Sequence, residues 1–257
     1  MLIAIDIGNS SINIGYFAYK GLLVQRINTH PLKDSGEYLS VIRGFLRQNC
    51  VEKGSIRGII SSVVSSHTSV FSEVLKRLSG VEEKDLLTVS HEMNSGLKFR
   101  VREPDKVGTD RIANAAAAIE FYGTPVAVAD FGTATTITVV GREGDFAGGS
   151  ILPGLRLMNS ALDAGTSQLQ EVAMEAPLRA LGVDTSECIR SGLFFGTAGA
   201  VERILTEIEE ETGVSLKLVL TGGYAQAVGR LMKRVHEINS NLALEGLRIL
   251  YGKNRPS

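Results

Sequence analysis

Short apolar runs, each closed by glycine and small polar residues, recur along this chain. Leu2–Ile5 is one such run and predicts a buried strand. Ile12–Tyr19 alternates weakly and meets Lys20-Gly21, a hairpin signal, after which Leu22–Ile27 predicts a third strand. Glu37–Cys50 sets Leu39, Ile42, Phe45 and Leu46 at helical spacing. Gly58–Val64, "GIISSVV", is rich in β-branched residues and predicts a strand. His67–Leu78 puts Val70, Phe71, Val74, Leu75 and Leu78 on one helical face.

After Pro104 the order returns. Arg111–Phe121 is an alanine-rich helix. Val126–Ala129, Thr135–Val140 and Asp145–Ser150 predict three strands. Glu187–Glu211 reads as mostly helical, with a break expected near Gly192 and Gly196. "LKLVLTGG" predicts a strand entering a glycine turn. Ala225–Val235 and Leu242–Tyr251 predict two closing helices. "LIAIDIGNSSINIGYF" and "VAVADFGTATTITVVG" align without a gap, and "IISSVV" corresponds to "LVLTGG". This internal repeat implies an α/β protein of two duplicated domains facing across a cleft, a common setting for small-molecule sites. The expected bounds are 1–110 and 111–257.

Composition narrows the function classes. A chain of 257 residues with 44% hydrophobic content can build a sizeable core. Its formal net charge of -1, without a Lys/Arg run, gives no reason to expect nucleic-acid or membrane-surface binding. Cys50 and Cys188 lie too far apart for a metal motif, and we expect buried or half-buried thiols in a reducing compartment. Asp6 interrupts the first apolar run, so neither a signal peptide nor a transmembrane segment is expected, and the protein is expected in the cytoplasm.

The repeated turn carries the candidate chemistry. In each copy an apolar strand leads to Asp, one apolar residue and Gly, followed by small amide or hydroxyl residues. Glycine lets the backbone approach a ligand, and N–H groups and hydroxyls in such a turn can cradle phosphate. An aspartate there repels phosphate unless a cation lies between them. Asp6 and Asp130 therefore suggest a hydrated Mg²⁺ or another cation bridging to phosphate oxygens; the alternative is a pair of turn-capping residues. "LTGG", Leu220–Gly223, opens a helix and could hold a nucleotide's sugar or base. No Walker loop and no dinucleotide fingerprint is present. In "VGTDRIANAAAA", Thr109 or Asp110 is either a helix cap or, for Asp110, a general base, and Arg111 is either a surface charge or an anion ligand. The histidines at 30, 67, 91 and 236 read as surface or packing residues, Asp163 as a helix-end or loop residue, and Ser61 and Ser62 have no evident base partner.

The series "DIGNS", "VGTDR", "DFGTATT", "GGSILPG", "SGLFFG", "LTGG", "LEGLRILY" resembles type III pantothenate kinases across nearly the whole chain. These belong to the superfamily of acetate and sugar kinases, Hsp70 and actin, built from duplicated ribonuclease H-like (actin-like ATPase) domains. The resemblance implies transfer of the ATP γ-phosphate to the primary hydroxyl of pantothenate, the first step of coenzyme A synthesis. It assigns the first phosphate loop to Asp6, Ile7, Gly8, Asn9, Ser10, Ser11, Ile12 and Asn13, with Asp6 toward Mg-phosphate. Asp110 matches the catalytic base, within a substrate segment of Gly108, Thr109, Asp110 and Arg111. By the same resemblance Arg111 holds the pantothenate carboxylate, Thr185 contacts pantothenate, Thr133 contacts ATP, and Asp130 binds a monovalent cation, K⁺ or NH₄⁺. A homodimer with the second domain at its interface is also implied.

The chain departs from the family in a few places. A tyrosine that touches pantothenate is replaced by Val101, and the asparagine of an Asn-Pro pair by Glu103. Losing one such hydroxyl bond costs about 0.5–1.5 kcal/mol. Ser10 stands for a threonine and keeps the hydroxyl. Three other readings compete: a non-catalytic transcriptional accessory factor of the same fold, a kinase of another small hydroxy acid, and an actin-like filament protein. The presence of Asp6, Asp110 and Asp130 counts against the first, Val101 keeps the second open, and the chain lacks the extra subdomains of the third.

Overall fold

A computed structural model gives the fold and describes residues 1–19, 21–50, 55–79 and 86–255. Lys20, half of the expected hairpin signal, lies outside the described residues. The chain divides into two compact units. The first comprises Met1–Leu97, Arg102–Ala117 and Leu242–Ser257; the second comprises Lys98–Val101 and Ala118–Asn241.

The first unit contains β1 (Leu2–Ile7), β2 (Ser11–Ala18), β3 (Gly21–Asn28), α1 (Ser35–Gln48), β4 (Arg57–Ser62), α2 (Ser65–Ser79) and β5 (Leu86–Thr88). It also holds the first part of α3 (Thr109–Tyr122) and all of α7 (Leu242–Asn254). Its sheet runs β3-β2-β1-β4-β5, with β1 antiparallel to β2 and parallel to β4. Ile3, Ile5, Ile7, Ile12, Ile14 and Tyr16 meet Tyr38, Leu39 and Ile42 of α1 and Phe71, Val74 and Leu75 of α2 in one core. Helix α1 starts where it does because Asp34 and Glu37 form a capping box. The Glu37 N–H donates to Asp34 Oδ1 (2.8 Å), and the Asp34 N–H donates to Glu37 Oε2 (3.1 Å).

The second unit contains β6 (Lys98–Phe99), the rest of α3, β7 (Val126–Phe131), β8 (Ala134–Val140), β9 (Asp145–Pro153), α4 (Leu155–Gly165), α5 (Thr185–Thr212), β10 (Lys217–Thr221), α6 (Ala225–Gly229) and β11 (Glu237–Ile238). Its sheet runs β11-β10-β7-β8-β9-β6. Read backward from β9, this is the first unit's order, with the same antiparallel and parallel pairings and β6 added at the edge. The duplication expected from the sequence is present as topology. Ala127, Ala129, Phe131, Ile137 and Val139 pack with Leu155 of α4 and with Leu193, Phe194, Ala198, Val201 and Leu205 of α5.

Four expectations need correction. The bounds 1–110 and 111–257 do not follow the units, because α7 packs on β1, β2 and β4 of the first and the division falls inside α3. Helix α5 is unbroken for 28 residues. Gly192 and Gly196 each cost about 1 kcal/mol against alanine, yet Leu193, Phe194, Thr197, Ala198 and Val201 are buried along it and offset that cost. The helix expected over Ala225–Val235 stops at Gly229, because the Lys233 and Arg234 N–H groups donate to Glu202 Oε1 (2.6 and 2.7 Å) instead of to a helical carbonyl. Finally, Cys50 and Cys188 are exposed: Cys50 follows the C-cap of α1 with φ 50°, and Cys188 lies in the first turn of α5.

Arg234 ties the second unit together. Its guanidinium donates to both Glu209 oxygens (2.8 and 2.5 Å) and to the Leu216 carbonyl (2.9 Å). These bonds hold the Glu209 carboxyl below its ordinary range, against the opposing effect of burial. A depressed carboxylate stabilises the fold above its unfolded pKa, about 4.3 for glutamate, and that stabilisation is lost as pH falls through the folded value. Arg234→Met is therefore expected to lower stability at neutral pH, with the deficit shrinking in acid. Urea unfolding of both proteins across this range checks it; a deficit independent of pH refutes the ion pair as its source.

Candidate active site

The first turn lies between β1 and β2. Asp6 sits inside β1, one residue before its end, facing Asn13 across the hairpin and Ser61 of β4 on the other side. The turn is braced at its base. The Gly8 N–H donates to the Ser11 carbonyl (3.0 Å), the buried Thr29 hydroxyl to the Gly8 carbonyl (2.6 Å), and Arg26 to the Ser11 hydroxyl (3.0 Å). Asn9 and Ser10 stand exposed at its tip. The backbone is thus fixed where a phosphate can reach its tip.

Asp110 lies in the first turn of α3, in the same unit. Its Oδ1 accepts from the Arg111 N–H at 2.8 Å. Gly108 permits this geometry, since a Cβ there would fall 2.5 Å from Asp110 Oδ1. Burial raises the carboxyl above its ordinary range, while the Arg111 N–H and guanidinium oppose the rise. Burial likewise lowers the Arg111 guanidinium, against the pull of Asp110. A half-buried carboxylate of raised basicity, with a cation beside it, suits proton abstraction from an anionic acceptor. Thr109 neither caps nor faces away: its hydroxyl is bonded to Ser61 Oγ (3.0 Å) and to the Ser62 N–H (3.1 Å).

The second turn, in the other unit, joins β7 and β8. Asp130 faces Thr136 across the hairpin and Thr221 of β10. Asp6 and Asp130 are therefore equivalent, but Asp130 meets the sixth residue onward where Asp6 meets the seventh. The gap-free alignment holds as far as the turn, and the second turn is one residue shorter. Glycines crowd it: a Cβ on Gly222 would fall 2.4 Å from Asp130 Oδ1, and one on Gly154 would fall 2.2 Å from the Thr133 carbonyl oxygen. The Gly154 N–H donates to that same oxygen (3.0 Å). Thr133 is exposed at the tip.

Among the described residues no group of three or more His, Cys, Asp or Glu side chains could hold a metal ion. Each turn instead offers one carboxylate with hydroxyl and carbonyl oxygens. That donor set suits a hard cation completed by phosphate oxygens and water.

Comparison with known proteins gives the family. The profile of type III pantothenate kinases matches residues 2–207. The type III pantothenate kinase of Moorella thermoacetica is 35% identical over 256 residues, 99% of this chain and 100% of that protein. That of Thermomicrobium roseum is 38% identical over 253 residues, 98% and 96% of the two chains. The chain belongs to the type III pantothenate kinase family. Its fold is also that of component A of (R)-2-hydroxyglutaryl-CoA dehydratase from Acidaminococcus fermentans, with a TM-score of 0.57 at 13% identity over 97% and 96% of the chains. This is the actin-like ATPase fold expected from the sequence.

The remaining residues assigned through the pantothenate kinase motifs are placed as follows. Asp6, Thr109, Asp110 and Arg111 belong to the first unit; Val101, Asp130, Thr133 and Thr185 belong to the second. Thr185 is the exposed first residue of α5, next to its N-cap Asp184. Val101 follows β6, half-buried, and a Cβ on Gly148 would lie 3.8 Å from its Cγ1. Glu103 is exposed and paired with Lys106 (2.5 Å). His67 is buried, with Nε2 against the Thr29 carbonyl (2.9 Å), so it packs as expected.

Sequence reasoning missed Thr29, Arg26 and Gly154, which brace the turns. It also gave Ser61 no base partner, whereas Ser61 is buried and donates to Asp6 Oδ1 (3.2 Å). The small polar residues near the ends of "IISSVV" and "LVLTGG" held part of the signal, but only register picks out Ser61 and Thr221 as the hydroxyls beside the two aspartates.

Proposed function

We propose that this protein transfers the γ-phosphate of ATP to the primary hydroxyl of pantothenate, giving 4'-phosphopantothenate for coenzyme A synthesis. The observation that carries the reading is Asp110, a half-buried carboxylate of raised basicity beside Arg111 on a helix N-terminus. The pantothenate hydroxyl oxygen attacks the γ-phosphorus, the bond to the β-phosphate oxygen breaks, and ADP leaves. Asp110 accepts the hydroxyl proton, and Arg111 holds the substrate carboxylate. The turn Asp6–Asn13 and Thr133 hold the nucleotide phosphates by backbone and hydroxyl groups. Asp6 would hold Mg²⁺, which would supply neutralising charge at the phosphates. Asp130 would hold K⁺ or NH₄⁺. Thr185 contacts pantothenate, and the protein works as a cytoplasmic homodimer joined through its second unit.

The test is phosphate transfer from ATP to pantothenate by the purified protein, with and without K⁺. Potassium-dependent 4'-phosphopantothenate supports the reading. No product with any monovalent cation, from folded protein that binds ATP, refutes it. Product that needs no monovalent cation refutes the role of Asp130 alone.

A further inference from the structure

Between Asp6 and Asp110 runs a short chain of hydroxyls that the reaction as described does not use. Ser61 Oγ lies 3.2 Å from Asp6 Oδ1 and 3.0 Å from Thr109 Oγ1, and Ser61 has 0% exposure. Thr109 Oγ1 accepts from the Ser62 N–H (3.1 Å) and lies 3.2 Å from the Ser62 carbonyl. Thr109 immediately precedes Asp110. Each hydroxyl has one proton to give. The carboxylate of Asp6 is the strongest acceptor in reach of Ser61, so it takes the Ser61 proton. Thr109 then has Ser61 Oγ or the Ser62 carbonyl as acceptor.

The end of β4 is thereby fastened on one side to the carboxylate of the phosphate turn and on the other to the first turn of α3. The parallel register explains why Ser61 can do this: it is the direct partner of Asp6. The duplicated unit keeps a hydroxyl at the matching place. Thr221, 3% exposed, is the register partner of Asp130.

We propose that Ser61 is a positioning residue, which sets Asp110 relative to Asp6 through Thr109. It acts through these two bonds, fixing the separation between the base and the carboxylate that orders the phosphates. The role rests on the phosphotransfer reading above. Misplacing reacting groups by about 1 Å can cost about a hundredfold in rate without weakening binding.

Ser61→Ala is expected to lower kcat about ten- to a hundredfold, with both KM values within about threefold of wild type. Ser61→Thr, which copies the second unit, restores most of kcat. Ser61→Cys keeps the volume and weakens the bond, and serves if the alanine variant does not fold. Amide exchange supplies a readout free of activity: the first-turn amides of α3, Arg111 and Ile112, exchange faster in Ser61→Ala. A folded Ser61→Ala protein with unchanged kcat overturns the role while the phosphotransfer reading stands. If the wild type itself transfers no phosphate, that reading fails, and exchange alone judges the tether: unchanged exchange overturns it, faster exchange upholds it. A loss of thermal stability with kcat intact marks a purely structural serine and also overturns the role.

Discussion

Asp110→Asn is expected to lower kcat for phosphate transfer by about 10²–10⁴ while leaving the protein folded. The amide keeps an oxygen for the Arg111 N–H, which now bonds Asp110 Oδ1 at 2.8 Å, so the helix start survives. What disappears is the carboxylate proposed as the proton acceptor. Two further signs separate this from damage to the fold. Burial raises the Asp110 carboxyl, so the acid limb of the wild-type pH–rate profile lies above the ordinary range of a carboxylate, about 3.9 for aspartate. The base works only when ionised, so rate falls as pH drops through that raised value, and Asp110→Asn loses the limb. Stability moves the other way. A folded pKa above the unfolded one means that the fold favours the protonated acid, so ionisation at neutral pH costs stability. The neutral asparagine removes that cost, and the inactive variant is expected to melt no lower than wild type. A variant that retains wild-type kcat refutes Asp110 as base.

The second large effect is a contrast within α7. A Cβ on Gly246 would fall 1.9 Å from the Ala113 carbonyl oxygen and 2.5 Å from its carbon, both backbone atoms of α3. Backbone cannot swing aside as a side-chain tip does. Gly246→Ala must therefore push α7 away from α3, at a cost of about 1–3 kcal/mol or more. Asp110 lies in the first turn of that same α3, so activity is expected to fall with stability. Gly252, further along α7, has nothing within 4 Å of the equivalent position. There alanine only removes the glycine entropy penalty and gains up to about 1 kcal/mol. Urea midpoints of the two variants should lie on opposite sides of wild type. Equal midpoints would show that the helices do not approach as described.

What the sequence made legible follows from local physics. The β1–β2 and β7–β8 hairpins were readable because apolar alternation ends at glycine turns, and their likeness located both aspartates. Strand pairing could not be read in the same way. The one-residue shortening of the second turn emerges only from register, in which Asp130 meets Thr136. The unbroken α5 illustrates tertiary packing overriding propensity, since buried Leu193 and Phe194 hold a helix that Gly192 and Gly196 argue against. The short α6 illustrates the reverse, a helical pattern ended by a distant carboxylate, Glu202. Ser61 stayed hidden because its two partners, Asp6 and Thr109, are far from it in sequence and meet it only through sheet pairing and helix placement.

The return of α7 to the first unit has a consequence for how the protein is made. Apart from Lys98–Val101, the second unit is one continuous stretch, Ala118–Asn241, and is fully synthesised before α7 exists. The first unit begins before the second but is completed only once α7 has been made. Until then the surface around Gly15 that Leu244 covers, and the stripe of α3 at Ala113 that Gly246 abuts, remain wet. A nascent chain stalled after Asn241 but before α7 is made therefore carries a finished second unit and an unsealed first one. Such a product leaves bare the face of the first unit that α7 covers, so one helix decides whether that unit is closed.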